Sequence, residues 1–464
     1  KNDTAMGQEK TNSTVRIDML HGGIFRKLLL FALPLIASGI LQQSFNSVDV
    51  AVVGQFASSQ ALAAVGSNGL VISLIINLFI GISIGANVVI AHYIGRQDEK
   101  GIKNAISTTA IIAVTSGIFL LITGLLIAKP ILEALDTPED VIDLAVLYLR
   151  IYSLGMPFMM IYNFGAAILR SLGDTKRPFY SLVVAGAINV GLNLLLVIEF
   201  EMSVAGVAVA TVISNIVNAG IIVFFLTHEK GVFRLELKQL SISKAELKKI
   251  LQIGVPAGIQ GMVFSISNVF VLATINSFGS AAVAGSSAAL NYEYYCYFVV
   301  SAFAQATVAF TSQNYGAGQI ERCKTIFRQS MLPGLLGCAA LNLLIVWQKE
   351  FFIRFFTTEP EIIRYAAIRM EYVLLFQFIA SSYEISGAAL RGIGYSMTPT
   401  VLTIFGTCLL RLVWIFTVVP LSKSYETLLA VYPISWVITG ISVCTAYAII
   451  RRKAFSLAVL QQQK

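Results

Sequence analysis

Twelve separated apolar runs, most of them twenty or more residues long, dominate this chain: near 28–54, 69–94, 106–128, 141–169, 179–200, 203–227, 250–277, 290–315, 330–348, 362–388, 400–420 and 427–450. At about 1.5 Å of rise per residue, a helix of that length crosses the roughly 30 Å hydrocarbon layer of a bilayer. No water is available there, so each run must satisfy its own backbone hydrogen bonds, and a helix does this within one segment. Composition agrees: 56% of the residues are hydrophobic and 12% charged, against about a quarter charged in an ordinary soluble domain. Disordered, fibrous and disulfide-stapled chains are excluded. Five cysteines, Cys296, Cys323, Cys338, Cys408 and Cys444, lie in or beside apolar stretches without CxxC or Cys/His spacing, and are expected to act as small buried hydrophobes. Residues 1–14 are polar and lack the layout of a cleaved signal, since the first apolar run is too long and leads into further spans.

The positive charges orient the bundle. The two ends and the connections after spans 2, 4, 6, 8 and 10 carry 25 of the 33 Lys and Arg, and the alternate connections together with the first turns of span 10 carry six; Arg150 and Arg411 lie inside other spans. That bias places both termini in the cytoplasm. It also accounts for the net charge of +8 as topology rather than as nucleic-acid binding. The expected layout is a tail over 1–24, an N-lobe of spans 1–6 over 25–227, a charged linker over 228–249, a C-lobe of spans 7–12 over 250–450 and a tail over 451–464.

The halves match at a nearly fixed offset. Pro34, Gly39, Asn46 and Phe56 stand 222 residues before Pro256, Gly261, Asn268 and Phe278; Gly95 and Lys103 stand 221 before Gly316 and Lys324. Leu169, Arg170, Gly173 and Pro178 stand 221 before Leu390, Arg391, Gly394 and Pro399. Six spans per unit is an even number, so the units share one orientation. The fold expected is an all-α membrane protein of twelve transmembrane helices in two six-helix lobes, related by a pseudo-two-fold axis along the membrane normal, with a cavity between them.

These segments resemble the MATE (multidrug and toxic compound extrusion) family. The resemblance rests on ALPLIASGILQQSFNSVDVAVVG in span 1, ALAAVG at 61–66, AAILRSLGDTKRP at 166–178, SVAGVAVATVISN at 203–215, SQNYGAGQIER at 312–322 and GAALRGIGYSMTP at 387–399. It covers residues 25–450 and implies a bacterial-type secondary transporter of the plasma membrane, a monomer, working without a cofactor.

Asp49 is the sharpest residue signal. A charge inside an apolar span costs about 2.5–3.5 kcal/mol on insertion scales, which a reversible proton or cation partner offsets; a fixed pair with Arg150 is the alternative. Counting residues along each span puts Tyr148, Asn193 and Thr211 at the depth of Asp49, with Asn189 one turn deeper on the face of Asn193. Their oxygens suit Na⁺ at Asp49, Asn189, Asn193 and Thr211, or a hydrogen-bonded, protonatable Asp49. Helix-to-helix hydrogen bonding is the alternative for the Asn and Thr residues. The spacing resembles the family's N-lobe cation site, with Asn193 where relatives often carry a second Asp, so one carboxylate remains. The C-lobe acidic positions of some relatives fall here on Ser381 and near Phe264–Ser265, which implies that no Na⁺ site of that kind exists in this lobe.

Asn46, Asn268, Glu293, Tyr292 and Tyr295 are candidates for the substrate cavity. Glu293 among tyrosines would receive an organic cation through charge and ring faces, or would sit in an interfacial aromatic belt near water. Glu384 is expected as a snorkelled or Arg391-paired structural carboxylate. Arg411 is expected to pair with carbonyls or a carboxylate in its lobe. Pro34 and Pro256 each remove a backbone bond and are candidate gating bends. EFFIRFFTTEPE (350–361) resembles a short interfacial helix.

No HExxH, Ser-His-Asp set or intramembrane aspartate pair is apparent, so a non-enzyme is expected. The function expected is an antiporter that exports amphipathic, cationic small molecules in exchange for H⁺ or Na⁺. The competing reading is a lipid-linked saccharide flippase of the same superfamily, whose pyrophosphate ligand would call for a more cationic cavity than two intramembrane arginines provide.

Overall fold

The computed structural model describes residues 15–462. Those residues fold into twelve membrane-crossing helical spans. In chain order they are α1 (Ile24–Phe56), α2 (Ser59–Arg96), α3 (Glu99–Ala134), α4 (Glu139–Leu154 and Met156–Ser171), α5 (Lys176–Glu199) and α6 (Val204–Thr227). The second six are α7 (Lys244–Asn276), α8 (Ser280–Gly316), α9 (Ile320–Trp347), α10 (Pro360–Gly392), α11 (Met397–Ser422) and α12 (Tyr425–Gln462). α1–α6 and α7–α12 form two six-helix lobes. Residues 15–23, the inter-lobe linker and the end of α12 share one face of the bundle, here called the terminal face; the other face is the distal face.

Local chemistry sets the helix ends. Ser58 accepts the Ala61 N–H at 3.1 Å to open α2, and Asp98 accepts the Gly101 N–H at 2.9 Å to open α3. The helices overrun several apolar runs: α9 begins at Ile320, ten residues before its run, and α12 continues through the expected tail to Gln462. Hydropathy marks only the stretch that meets hydrocarbon, whereas helical hydrogen bonding continues into the charged ends. The 350–361 segment is helical at its two ends, in the short helix Lys349–Ile353 and where Pro360 and Glu361 open α10.

Pro34 and Pro256 both lie inside unbroken helices. α4 is a broken span, whose two halves meet at 48° at Gly155. There Pro157 occupies the first turn of the second half, where its ring crowds the preceding turn and it offers no N–H. A π-helical turn ends α5 at Leu194–Glu199, and another interrupts α11 at Ile404–Leu409.

Small residues let the lobes meet in the terminal half. A Cβ added to Gly81 would lie 2.1 Å from the Gly258 nitrogen, and one added to Gly85 would lie 2.2 Å from the Ile250 carbonyl oxygen. The same close approach brings Gly95 to Gln313 and Gly316 to His92, which is the small-residue packing expected where lipid supplies no hydrophobic drive. Polar bonds reinforce it: Gln313 Nε2 donates to the Ser171 carbonyl at 2.6 Å, and His92 Nε2 lies 2.7 Å from the Gly392 carbonyl. Asn77 Nδ2 donates to Ser265 Oγ at 2.8 Å. Nearer the distal face, no hydrogen bond described joins the lobes. The close approaches and hydrogen bonds between the lobes are thus gathered in the terminal half.

Replacing Gly81 with valine sets side-chain atoms against backbone that has nowhere to go. Overpacking of this kind costs about 1–3 kcal/mol. The G81V protein is expected to melt at a lower temperature in detergent and to lose export; an unchanged melting curve would contradict the close α2–α7 contact.

Candidate functional site

The site begins with a helix contact. Gly186 on α5 has no side chain, and the Phe45 ring of α1 lies 1.6 Å from where its Cβ would be. α1 and α5 run in the same direction, so one turn beyond Phe45 and two turns beyond Gly186 the chain sets Asp49 opposite Asn193. Asn193 Nδ2 donates to Asp49 Oδ1. The same nitrogen donates to Asn189 Oδ1 at 2.9 Å. Asn193 is fully buried and Asp49 half-buried, and the Asn193 amide oxygen is buried with no partner.

The carboxylate has aromatic neighbours rather than a counter-charge. Tyr148 and Tyr152, one turn apart on α4 with ring centroids 5.8 Å from each other, lie within electrostatic reach of Asp49. Tyr152 was not singled out in the sequence, although its four-residue spacing from Tyr148 carries the signal. Thr211 donates to the Val207 carbonyl of its own helix at 3.0 Å and makes no bond to the cluster. Arg150, the alternative partner for Asp49, is exposed and forms no ion pair with it. On α4 it stands two residues from each tyrosine, which turns it to the other side of the helix. The π-helical turn of α5 begins directly after Asn193, and such turns recur at functional sites.

The C-lobe candidates divide. Glu293 is a correction. Its carboxylate is buried and held by Arg369, Nε to Oε1 at 2.6 Å and Nη2 to Oε2 at 3.0 Å. Gln377 Nε2 also donates to the Glu293 carbonyl at 2.8 Å. The charge that would attract an organic cation is neutralised inside the lobe, and it stands neither in the cavity nor in an aqueous belt. Tyr292 follows it, donating to the Phe352 carbonyl at 2.7 Å among the Phe352 and Phe356 rings. Tyr295 lies beside Phe298, the ring that fills the space over Gly39 of α1, and so remains at the seam between lobes. Asn46 is exposed one turn before Asp49. Asn268, its repeat counterpart, is also exposed and accepts from Arg411 Nη1 at 3.3 Å.

Arg411 meets that amide oxygen and two rings, Tyr432 at 4.4 Å and Phe264 at 5.2 Å. It has no carboxylate partner among the described ion pairs. Asp49 of the N-lobe has its repeat counterpart in Val271, so the acid has no twin.

Breaking a buried pair by removing one partner costs about 3–5 kcal/mol. Glu293→Leu and Arg369→Met are each expected to lower thermal stability strongly, and the double variant to regain most of the loss; equal melting temperatures for all four proteins would refute a structural pair.

Known proteins corroborate the architecture. The MatE family model matches residues 34–195 and 256–417, one match in each half. A probable multidrug resistance protein, YoeA of Bacillus subtilis, is 30% identical over 391 residues, covering 82% of this chain and 84% of its own. A probable multidrug resistance protein NorM of Thermotoga maritima is 28% identical over 85% of this chain and 86% of its own. A solved outward-facing conformation of a multidrug resistance MATE family transporter superposes with a TM-score of 0.85 at 23% identity, covering 95% of this chain and 98% of that one. This last likeness speaks to the fold alone.

Proposed function

The chain belongs to the MatE family of multidrug efflux transporters, which are not enzymes and need no cofactor, and from that premise we propose that it exports amphipathic organic cations in exchange for protons, with Asp49 as the coupling carboxylate. The observation that carries this reading is the setting of Asp49: an acid inside a membrane helix, held by one amide donor, flanked by phenols and facing no cationic side chain. An ionised carboxylate there is costly, and a bound cation or a proton relieves that cost equally well. The two occupants therefore compete.

The cycle follows from this competition. With the lobes parted at the distal face, a proton from outside neutralises Asp49 and removes the attraction for a cationic substrate, which leaves. With the lobes parted at the terminal face, which we place in the cytoplasm, the proton departs and the carboxylate becomes a partner for the next substrate. Asn193 and Asn189 hold the carboxyl group in place in both states. One proton exchanged for one monovalent substrate moves no net charge, so the membrane potential adds nothing; each uncompensated charge would add about 2.3 kcal/mol per 100 mV. The bacterial relatives and the positive-charge bias support a place in the plasma membrane with the terminal face in the cytoplasm.

Sodium is the second reading, favoured by the side-chain oxygens of Asn189, Asn193 and Thr211 around one acid. It asks more of the site: Asn193 must turn its unpartnered oxygen toward Asp49, and Thr211 must give up its helix carbonyl. A flippase for lipid-linked saccharides is disfavoured because Arg150 and Arg411 supply little positive charge for a pyrophosphate ligand.

Proteoliposomes with imposed gradients separate these readings. Efflux of a fluorescent organic cation is expected to follow ΔpH, to ignore ΔNa⁺, and to fall at least tenfold in Asp49→Asn, with Asn193→Ala intermediate. Undiminished efflux by Asp49→Asn would remove that residue from the mechanism, and a response to ΔNa⁺ alone would favour the second reading.

A further inference from the structure

The short stretches of chain that lead into α1 and α7 cross from one lobe to the other. Before α1, the backbone over residues 17–22 lies in a polar groove at the terminal ends of α8 and α9. Asn314 Nδ2 donates to the Met19 carbonyl at 3.0 Å. Arg322 encloses the same stretch: Nε and Nη2 donate to Met19 O at 3.3 and 3.2 Å, Nη2 to His21 O at 3.2 Å and Nη1 to Gly22 O at 2.8 Å. The Met19 side chain is 1% exposed and plugs an apolar socket of Leu28 and Phe31 from α1, Phe310 from α8 and Ile326 from α9. On the N-lobe side, the Ile17 N–H donates to the Gly173 carbonyl at 3.0 Å.

The repeat supplies a second copy. Ser241, 222 residues after Met19, accepts at its carbonyl from Ser107 Oγ at 3.0 Å and donates its own N–H to that hydroxyl at 2.8 Å. The Ser243 N–H donates to Thr108 Oγ1 at 3.0 Å. Tyr93, 221 residues before Asn314, donates to Glu246 Oε1 and accepts from Lys249 Nζ, both at 2.7 Å. Here the chain entering the C-lobe is bound by α2 and α3 of the N-lobe.

We propose that residues 15–23 and 240–249 form a pair of pseudo-symmetric straps that lock the terminal face shut and must let go of the opposite lobe in every transport cycle. Each strap is covalently continuous with the first helix of its own lobe and hydrogen-bonded to the other lobe, so neither set of cross-lobe bonds survives separation of the terminal ends. The acceptors on the first strap are backbone carbonyls, so its lock depends on Arg322 and Asn314 rather than on the strap's side chains; Met19 is its one deep anchor. Polar bonds of this kind remake in water, which suits a latch that opens and closes. The inference rests on the alternating-access reading of the two lobes.

Double electron–electron resonance on the full-length chain tests it. Spin labels at the exposed Lys100 and Glu321 positions, with the five native cysteines replaced, report the separation of the lobes at the terminal face. The parent is expected to give one short-distance population. Arg322→Ala with Asn314→Ala should add a second, longer population, as should Ser107→Ala with Thr108→Val, and all four changes together should make the longer one dominant. Met19→Glu breaks the first strap from the strap's side and covers the case in which the arginine variant fails to fold. A merely structural role would lower the melting temperature and leave the distances alone. A single short distance in every folded variant would overturn the proposal. The measurement needs neither substrate nor Asp49, so its failure would leave the coupling reading standing.

Discussion

Every feature of this molecule follows from the cost of an unsatisfied backbone group in hydrocarbon. That cost forces each crossing segment to be a helix. It also removes the usual reason for helices to associate, since lipid tails are as apolar as leucine. What remains is close approach and polar contact. The glycines of α2 and α7, Gly81 against Gly258 and Gly85 beside Ile250, supply the close approach between lobes. Gly186 does the same inside the N-lobe, and the Phe45 contact it permits is what brings Asp49 and Asn193 together.

Polar groups in such a bundle sort by whether they are satisfied. Glu293 and Arg369 neutralise each other in a buried pair. Arg411 is spread over two ring faces and one amide oxygen. Asp49 stands apart: its partner is a neutral amide, and it is half-exposed in the distal half of the molecule. A carboxylate in that position has the most to gain from an occupant that comes and goes. The acid has no repeat twin, since Val271 stands in the matching place, and the lobes differ accordingly. The N-lobe holds Asp49 beside a neutral amide, and the C-lobe holds the Glu293–Arg369 pair.

Much of this was legible in the sequence, because membrane crossing imposes a simple rule of length and apolarity. The twelve spans and the even count followed from it, and depth counting brought Asp49 and Asn193 to one level with Asn189 one turn deeper. Depth does not give direction around a helix axis, and that is where the reading stopped. Thr211 lies at the expected level yet bonds to Val207, and Arg150 shares the helix of Tyr148 but faces elsewhere. Glu293 looked available because its partner, Arg369, is 76 residues away and nothing local announces the pair. Direction along a helix was no easier to foresee: Pro34 and Pro256 lie inside continuous helices, whereas the break in α4 falls at Gly155, just before Pro157.

The central claim is that proton and substrate compete for one carboxylate. The most direct measurement is proton release on substrate binding: a cationic substrate is added to the detergent-solubilised protein in weakly buffered solution, and the pH change is followed by an indicator dye. The account predicts that close to one proton leaves per substrate bound when Asp49 begins protonated, and that none leaves in Asp49→Asn. Substrate binding to the parent with no proton released at any starting pH would contradict it.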